Sequence, residues 1–253
     1  MSLKLLQYNF NHAAATYLAN APLQKNCALP LLAYLKDYQS SGLVLDLGSG
    51  PGTFSHQATP APKTIIRYDI SLSMLKIKAE GMAVNGDAAA LPFASNSIGT
   101  VMSNLMVQWP LDKAPILTEI QRILRPGGYF MFTTLIAPSL WQLQLAWQQI
   151  DHEAHTLEFL TTMEYHALCQ ATGLQLIHSD SWSYDMHFTD IQALLRHFKV
   201  TGTTLTKTPQ RSGLGGKKSL LALDRAYPLD RKSRLPLTYQ PLLIIVRKEA
   251  HHD

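Results

Sequence analysis

Short apolar runs alternate with amphipathic stretches along most of the chain. Five apolar runs in the first half predict strands at Leu43–Leu47, Thr64–Ile70, Met82–Val84, Gly99–Asn104 and Tyr129–Leu135. Between them, apolar residues at helical spacing predict helices over Ser71–Glu80 and Lys113–Leu124, and the turn sequence RPGGY ends the second helix. Strands that alternate with helices in this way indicate an α/β fold built on a parallel sheet.

The flanking parts of the chain are mainly helical. A helical segment is predicted near the N-terminus over Ala13–Tyr38. Further helices are predicted over Ser139–Asp151, Thr162–Thr172 and Asp190–Phe198, and late strands over Leu174–Asp180 and Leu242–Arg247. Residues 200–239 are polar, basic and interrupted by glycines, and there is neither an internal repeat nor a clear linker. We therefore expect one domain over 1–253, with an N-terminal helical segment of about 1–40 and a helical lid insertion of about 187–235.

Composition excludes several classes of protein. The chain has 253 residues, 46% of them hydrophobic, which is enough for a globular core. Its two cysteines and scattered histidines lack metal-ligand spacing, so we expect neither a disulfide framework nor a metal site. No run of eighteen apolar residues and no cleavable leader is visible. These features predict a soluble cytoplasmic protein that does not bind a membrane.

Charge is distributed unevenly along the chain. Residues 1–195 carry 10 Lys and Arg against 14 Asp and Glu, whereas residues 196–253 carry 12 against 4, a net charge of +8. Such a segment is either a solvated face or a docking surface for an acidic partner, because clustered charge steers association. The sequence leaves both interpretations open.

The stretch VLDLGSGPGTF at 44–54 predicts a buried strand that ends in a glycine-rich turn, where the backbone can approach a ligand closely. Gly48, Gly50 and Gly52 are spaced G-x-G-x-G, and Thr53 stands where a dinucleotide fingerprint needs its third glycine. No Gly-Lys-Ser/Thr follows, as a phosphate-binding P-loop would require. The loop therefore favours a different ligand.

DLGSGPG resembles the first motif of class I S-adenosylmethionine-dependent methyltransferases, and carboxylates or an amide follow the next three predicted strands. The resemblance implies a doubly wound, Rossmann-like, mostly parallel seven-stranded sheet with an antiparallel last strand. It also implies S-adenosylmethionine as cofactor, with Asp69 on the ribose and Asp87 on the adenine. The cofactor-binding residues that it implies are Asp46, Gly48, Ser49, Gly50, Gly52, Asp69, Ile70, Met74, Asp87, Ala88, Asn104 and Leu105.

Longer stretches resemble a narrower family, the malonyl-acyl-carrier-protein O-methyltransferases of biotin synthesis. These stretches are AAATYLANAPLQ, SNLMVQWPLD, RPGGYFMFTTLIAPSLWQLQLAWQQID, LLRHFKVTGTT and LPLTYQPLLIIVRKE. The likeness covers nearly the whole chain, although Ser49 stands where many relatives have cysteine, and residues 207–234 resemble the family less. It implies methylation of the free carboxylate of malonyl-acyl carrier protein, which gives the methyl ester used as a primer for pimeloyl formation.

This reaction needs no general acid or base, because carboxylates titrate near pH 4 and the acceptor is already ionised. Alignment of the reacting atoms and exclusion of water remain as the main requirements. A buried carboxylate needs a partner, so we expect Arg196 first and Lys199 second to bind it, with Tyr17 and Tyr239 as hydrogen-bond donors.

The implied partner is an acyl carrier protein, which presents an acidic helix. We expect it to dock on the basic segment through Lys217, Lys218, Arg231, Lys232 and Arg234. Two rival interpretations remain: a methyltransferase for another small carboxylic acid or a quinone precursor, and a non-catalytic cofactor-binding or RNA-contacting module. Residues 207–234 contain one aromatic residue, Tyr227, which argues against RNA binding. We expect no nucleic acid and no obligate protein partner.

Overall fold

A computed structural model describes residues 3–38, 42–52, 57, 64–77, 81–151, 153, 155–203 and 215–250 of the chain. Its centre is a seven-stranded sheet in the order β3-β2-β1-β4-β5-β9-β6. The strands are β1 (Leu43–Leu47), β2 (Ile65–Asp69), β3 (Met82–Asn85), β4 (Ile98–Asn104), β5 (Leu124–Leu135), β6 (Leu174–Ser181) and β9 (Pro241–Lys248). β9, the last strand of the chain, is antiparallel to both of its neighbours, β5 and β6, while the pairs from β3 to β5 are parallel. The predicted fold class is confirmed.

Helices cover both faces of this sheet and its carboxyl edge. They are α1 (Leu3–Tyr17), α2 (Pro22–Tyr38), α3 (Leu72–Leu75), α4 (Ala114–Ile123), α5 (Trp141–Gln148), α6 (Thr162–Ala171), α7 (Ile191–Val200) and α8 (Gly215–Ala226). A separate two-stranded antiparallel sheet joins β7 (Tyr184–Phe188) to β8 (Leu235–Tyr239).

Apolar side chains along the central strands point alternately to the two faces of the sheet and form a core on each side. In β5, Phe130 and Phe132 stack at 4.6 Å between ring centroids and pack toward α4 and α6. Met131, between them, packs on the other face with Leu31 and Leu35 of α2. Successive strand residues point to opposite faces, so a sheet covered on both sides requires this nearly continuous apolar sequence.

A third apolar cluster forms a cap over the carboxyl edge of the sheet, made by α1, α5, α7, α8, β7 and β8. The chain enters the cap after β5 and again after β6, and it leaves through β8 directly into β9. All of these connections leave or enter the sheet at its carboxyl edge, so the cap covers the edge where parallel α/β sheets bind their ligands.

Several element boundaries differ from the sequence-based predictions. The N-terminal helix begins at Leu3 rather than near Ala13, and α3 spans Leu72–Leu75 rather than Ser71–Glu80, of which 78–80 lie outside the described residues. Helix α8 and strand β8 lie within residues 200–239, for which no element was predicted. The predicted turn RPGGY, at 125–129, belongs instead to β5, which begins at Leu124. Gly127, at φ +77°, lies where the register with β4 shifts.

Within the described residues, no helix combines the length and the apolar character that a membrane crossing demands. The same residues contain no group of three or more His, Cys, Asp or Glu side chains arranged to hold a metal ion.

Candidate active site

A cleft lies at the carboxyl ends of β1, β2 and β4, where the sheet order changes direction between β1 and β4. This switch point is the usual binding position in doubly wound sheets. The cleft encloses about 710 Å³, including open solvent at its mouth, and small-molecule sites typically measure about 300–1,000 Å³. Leu3, Leu6 and Phe10 of α1 form its outer wall.

The glycine loop after β1 forms the inner wall of the cleft. The backbone N–H groups of Gly48 and Ser49 both donate to the carbonyl oxygen of Tyr68, at 2.8 and 3.1 Å, which fixes the loop to the end of β2. Gly50 has φ +54°, and a Cβ on it would have Tyr17 Cε1, 4.0 Å away, as its nearest neighbour. A side chain at Gly50 would therefore project into open cleft space that a ligand can use, in a conformation that favours glycine.

Asp69 ends β2 at the base of the cleft. Its Oδ2 accepts the N–H of Gly50 at 2.7 Å, and its Oδ1 accepts the N–H of Ser71 at 2.7 Å. Burial raises the pKa of the Asp69 carboxyl to about 6, against the opposing effect of these two hydrogen bonds. Each carboxylate oxygen keeps a second lone pair, so Asp69 can still accept a pair of neighbouring hydroxyl groups from a ligand.

Nine of the residues predicted to bind cofactor line this cleft: Gly48, Gly50, Asp69, Ile70, Met74, Asp87, Ala88, Asn104 and Leu105. Asp46 and Ser49 line a smaller adjoining cavity instead. Gly52 lines neither, because the space beside it is filled by the Arg67 side chain. Its N–H donates to the carbonyl of Ser49 at 2.9 Å, so its contribution is to the shape of the loop.

A second pocket of about 520 Å³ lies under the cap and shares walls with the cleft. Phe10, Tyr17, Leu105 and Trp109 line both spaces. Half of the other twelve lining residues are apolar: Leu23, Leu135, Leu140, Leu157, Phe159 and Phe198. A ligand in the cleft and a second molecule in this pocket would therefore meet beside Tyr17 and Leu105.

Of the four residues predicted to bind the substrate carboxylate, Tyr17 and Tyr239 line this pocket. Arg196 and Lys199 do not, and both are exposed. At 3.6 residues per turn, Arg196 lies about 200° around α7 from Leu194 and Phe198, which face the core. In this structure, Arg196 therefore does not meet the predicted role of a cation inside a dry pocket.

The residues predicted to bind a carrier protein lie on and after α8. Lys218, Arg231 and Lys232 are exposed, while the side chain of Lys217 lies outside the described part of the chain. The Arg234 guanidinium forms an ion pair with Asp230 at 3.0 Å. The exposed cations are free to meet an acidic surface, whereas Arg234 also braces the turn before β8.

Sequence reasoning missed several polar residues of the pocket: Gln24, Gln108, His197 and Thr201. His197 Nε2 lies 3.0 Å from the Tyr239 hydroxyl, and burial lowers the pKa of His197 to about 4, so its imidazole is neutral near pH 7. Gln108 lies in the stretch SNLMVQWPLD, which carried the family resemblance, yet no spacing pattern marked its amide as part of a site.

A family model described as "Methyltransferase domain" matches residues 45–132, which include the last three residues of β1, the glycine loop and Asp69. Malonyl-(acyl-carrier protein) O-methyltransferase of Serratia marcescens is 32% identical over 244 residues, covering 95% of this chain and 94% of that protein. The biotin biosynthesis bifunctional protein BioHC of Cellvibrio japonicus is 31% identical over 97% of this chain, which spans 50% of that longer protein.

Among solved structures, the YcgJ protein from Bacillus subtilis superposes with a TM-score of 0.64 at 17% identity, covering 87% of this chain and 98% of that one. At this level of identity the similarity shows the shared fold and nothing about the ligand.

The Asp69 carboxylate predicts a pH-dependent affinity for a ribose-containing ligand. Ribose hydroxyls donate to the ionised form, so affinity should be complete above pH 6 and fall as the pH drops through 6, by at most about tenfold per pH unit. Calorimetric titration with S-adenosylhomocysteine at pH 5 and pH 7.5 measures this. Asp69→Ala should cost about 1–3 kcal/mol of binding at pH 7.5 and remove most of the pH dependence. Equal affinities of the unmodified protein at both pH values would contradict the role of Asp69.

Proposed function

The chain belongs to the family of malonyl-(acyl-carrier protein) O-methyltransferases, and from that membership we propose that it methylates the free carboxylate of the malonyl thioester of acyl carrier protein. The product is the methyl ester that serves as a primer for pimeloyl formation in biotin biosynthesis. The observation that carries this proposal is the junction of the two spaces, a polar-ended cleft and an apolar pocket that share Tyr17 and Leu105.

The cleft residues fit S-adenosylmethionine. Asp69 offers acceptors for two ribose hydroxyls, Asp87 and Ala88 lie at the far end where an adenine is to be held, and the loop at Gly50 leaves backbone space for the methionine part. When bound, this cofactor supplies a methyl group on a positively charged sulfur. The substrate carboxylate would accept that methyl group on one oxygen, and the S–CH3 electron pair would remain on sulfur, so the chain's residues would have no proton to transfer.

The pocket supports this reaction because its described lining residues are uncharged near pH 7 and its walls would exclude water from the substrate. Among its described lining residues none is Asp, Glu, Lys or Arg, and its imidazole, His197, is neutral near pH 7. Burial also raises the pKa of both tyrosine hydroxyls above the usual value, so Tyr17 and Tyr239 remain neutral hydrogen-bond donors. The acceptor arrives ionised, so the chain's task is to orient its carboxylate and exclude water from it.

The carrier protein would approach the basic C-terminal segment. The exposed side chains of Lys218, Arg231 and Lys232 support docking of an acidic helix there, and Arg196 and Lys199 on α7 belong to the same positively charged segment. The malonyl group, on its long flexible arm, would then reach the pocket beneath the cap.

Transfer to malonyl-acyl carrier protein is the first expected outcome. With S-adenosylmethionine, the purified protein should add one methyl group to malonyl-acyl carrier protein and none to acetyl-acyl carrier protein, which offers no carboxylate, as measured by mass spectrometry of the carrier. Small carboxylic acids and quinone precursors serve as competing acceptors. Methylation of one of these without methylation of the malonyl carrier would overturn the proposal in favour of a different acceptor.

Charge reversal on the basic segment should separate docking from chemistry. The double variant Lys218→Glu and Lys232→Glu should raise the KM for malonyl-acyl carrier protein, with little change for a malonyl thioester that lacks the protein, because exposed charges act on the encounter between proteins. The difference between variant and unmodified protein should shrink as salt rises, since screening acts over about 8–10 Å near physiological ionic strength.

Lys36→Glu is the matched control for that experiment. Lys36 is an exposed lysine in the last turn of α2, next to the amino end of β1 and therefore at the edge of the sheet opposite the cap. An equal effect of Lys36→Glu, or an equal effect of the double variant on both substrates, would rule out docking through Lys218 and Lys232.

A further inference from the structure

The pocket under the cap, called the acceptor pocket below, presents hydrogen-bond donors and no Lys or Arg among its described lining residues. Its polar lining groups are two tyrosine hydroxyls, two glutamine amides, one imidazole and two threonine hydroxyls. His197 and Tyr239 are already hydrogen-bonded to each other at 3.0 Å, as are Thr201 and Thr203 at 2.7 Å. A carboxylate that leaves water for this pocket needs donors to replace its hydration, and outside these two pairs the candidates are Tyr17, Gln24 and Gln108.

The amide of Gln108 is held in one orientation by a buried chain of hydroxyl groups. Thr134 Oγ1 donates to Gln108 Oε1 at 3.3 Å, and Thr134 Oγ1 also lies 2.8 Å from the Tyr165 hydroxyl. Thr134 is fully buried and Tyr165 nearly so. Because the Thr134 proton goes to Gln108, the Tyr165 proton goes to Thr134, and every hydroxyl in the chain is satisfied.

This orientation leaves the –NH2 group of Gln108 as an unused donor. Gln108 is only 8% exposed, and within the described residues its Nε2 has no acceptor. An N–H group in the pocket wall that makes no hydrogen bond within the described residues is available to a bound acceptor group. The amide of Gln24 differs because no hydrogen bond among the described residues orients it, and its Oε1 is a buried atom without a partner.

Tyr17 supplies the second unused donor. Its hydroxyl has no hydrogen-bond partner in the described part of the chain, and its ring lines both the cofactor cleft and the acceptor pocket. Gln108 follows Leu105 by three residues, and Leu105 also lines both spaces. Tyr17 thus lies at the junction of the two spaces, and Gln108 lies in the wall of the pocket, three residues from a second junction residue.

We propose that Gln108 and Tyr17 bind the carboxylate that is methylated, and that Thr134, backed by Tyr165, is a positioning residue that turns the Gln108 amide toward it. The inference rests on the proposed function, which it deepens by naming neutral donors as the recognition element. Arg196, exposed on the outer face of α7, has no part in it.

Neutral donors suit the chemistry better than a guanidinium would. The carboxylate loses its negative charge as its oxygen takes the methyl group, so a fixed cation would stabilise the reactant more than the transition state and raise the barrier. Neutral N–H and O–H groups orient the anion, and their attraction to it falls less than that of a guanidinium as its charge disappears. They also hold the neutral ester weakly, which favours release of the product.

The test compares variants of Gln108 with a malonyl thioester of pantetheine as acceptor. Gln108→Leu removes both donors, and Gln108→Glu keeps the shape but places a carboxyl group against the substrate carboxylate. Both should raise the KM for this acceptor, Gln108→Leu by about 10- to 100-fold, the range for losing a hydrogen bond to a charged group, and Gln108→Glu by more. Calorimetric affinity for S-adenosylhomocysteine, which also shows that each variant is folded, should change little.

Two further variants separate positioning from structure. Gln144→Leu is the matched control, and its KM should be unchanged. Gln144 is a half-buried residue of α5 that donates to Thr156 at 3.0 Å and lies outside the pocket wall. Thr134→Val should raise the KM by less than Gln108→Leu and should have no added effect in the Gln108→Leu background, because Thr134 acts through Gln108.

Several outcomes would overturn the inference. Unchanged KM values in folded Gln108→Leu and Gln108→Glu proteins would do so, as would additive effects of Thr134→Val and Gln108→Leu. Another contrary result is a KM for this carrier-free acceptor that Arg196→Met raises while the Gln108 variants keep the normal value. That result would assign binding of the carboxylate to Arg196. If the unmodified protein fails to methylate malonyl-acyl carrier protein, the proposed function fails, which is distinct from normal activity that is insensitive to Gln108.

Discussion

The turn that follows β4 holds the site together, and it depends on one side chain, Asn104. The Asn104 amide donates to the backbone carbonyl of Gln24 on α2 at 3.0 Å and accepts from Thr133 of β5 at 2.7 Å. These two bonds join α2, the end of β4 and the neighbouring strand β5. Leu105 can then turn through a left-handed conformation at φ 55°, with its N–H on the Thr133 carbonyl.

That turn is the common wall of the cleft and the pocket. Leu105 lines both, and its carbonyl accepts from the Trp109 indole at 3.1 Å, which closes the loop on itself. Gln108 lies inside this loop, so its distance from the cofactor cleft is fixed by the same bonds. A rigid turn between two binding spaces would align two reacting groups, and good orientation can lower a reaction barrier by about 7–11 kcal/mol.

The two spaces treat charge in opposite ways. In the cleft, Asp69 is ionised above about pH 6 and accepts two backbone N–H groups, an arrangement suited to hydroxyl donors. In the pocket, the described lining residues are neutral near pH 7, and an anion is left to find hydrogen-bond donors there. Exclusion of water by the cap strengthens electrostatic attraction across the junction, because the effective dielectric constant falls. In the proposed reaction, an anion in the pocket would therefore meet a cation in the cleft without a charged side chain among the described residues of the pocket wall.

Much of the sheet could be predicted because its strands are buried on both faces and read as continuous apolar runs, as in LVLDL of β1. Strands β7 and β8 were missed although YDMHF and LPLTY alternate apolar and polar residues, because each has only five residues and they pair across 46 intervening positions with no short turn between them. Nine of the residues that the resemblance predicted to bind cofactor line the cleft, because a backbone loop and strand ends recur with the fold. The role proposed for Gln108 could not be predicted, since it depends on hydroxyls from β5 and α6. The exposure of Arg196 was readable in principle from the helical phase of Leu194 and Phe198, which turns it outward.

The most direct test of the account is a crystal structure of the protein with S-adenosylhomocysteine and a malonyl thioester bound together. The account predicts the malonyl carboxylate within hydrogen-bond distance of Gln108 Nε2 and the Tyr17 hydroxyl, next to the sulfur, with the Arg196 guanidinium in solvent. A carboxylate paired instead with Arg196 or Lys199, through a rearranged cap, would contradict it.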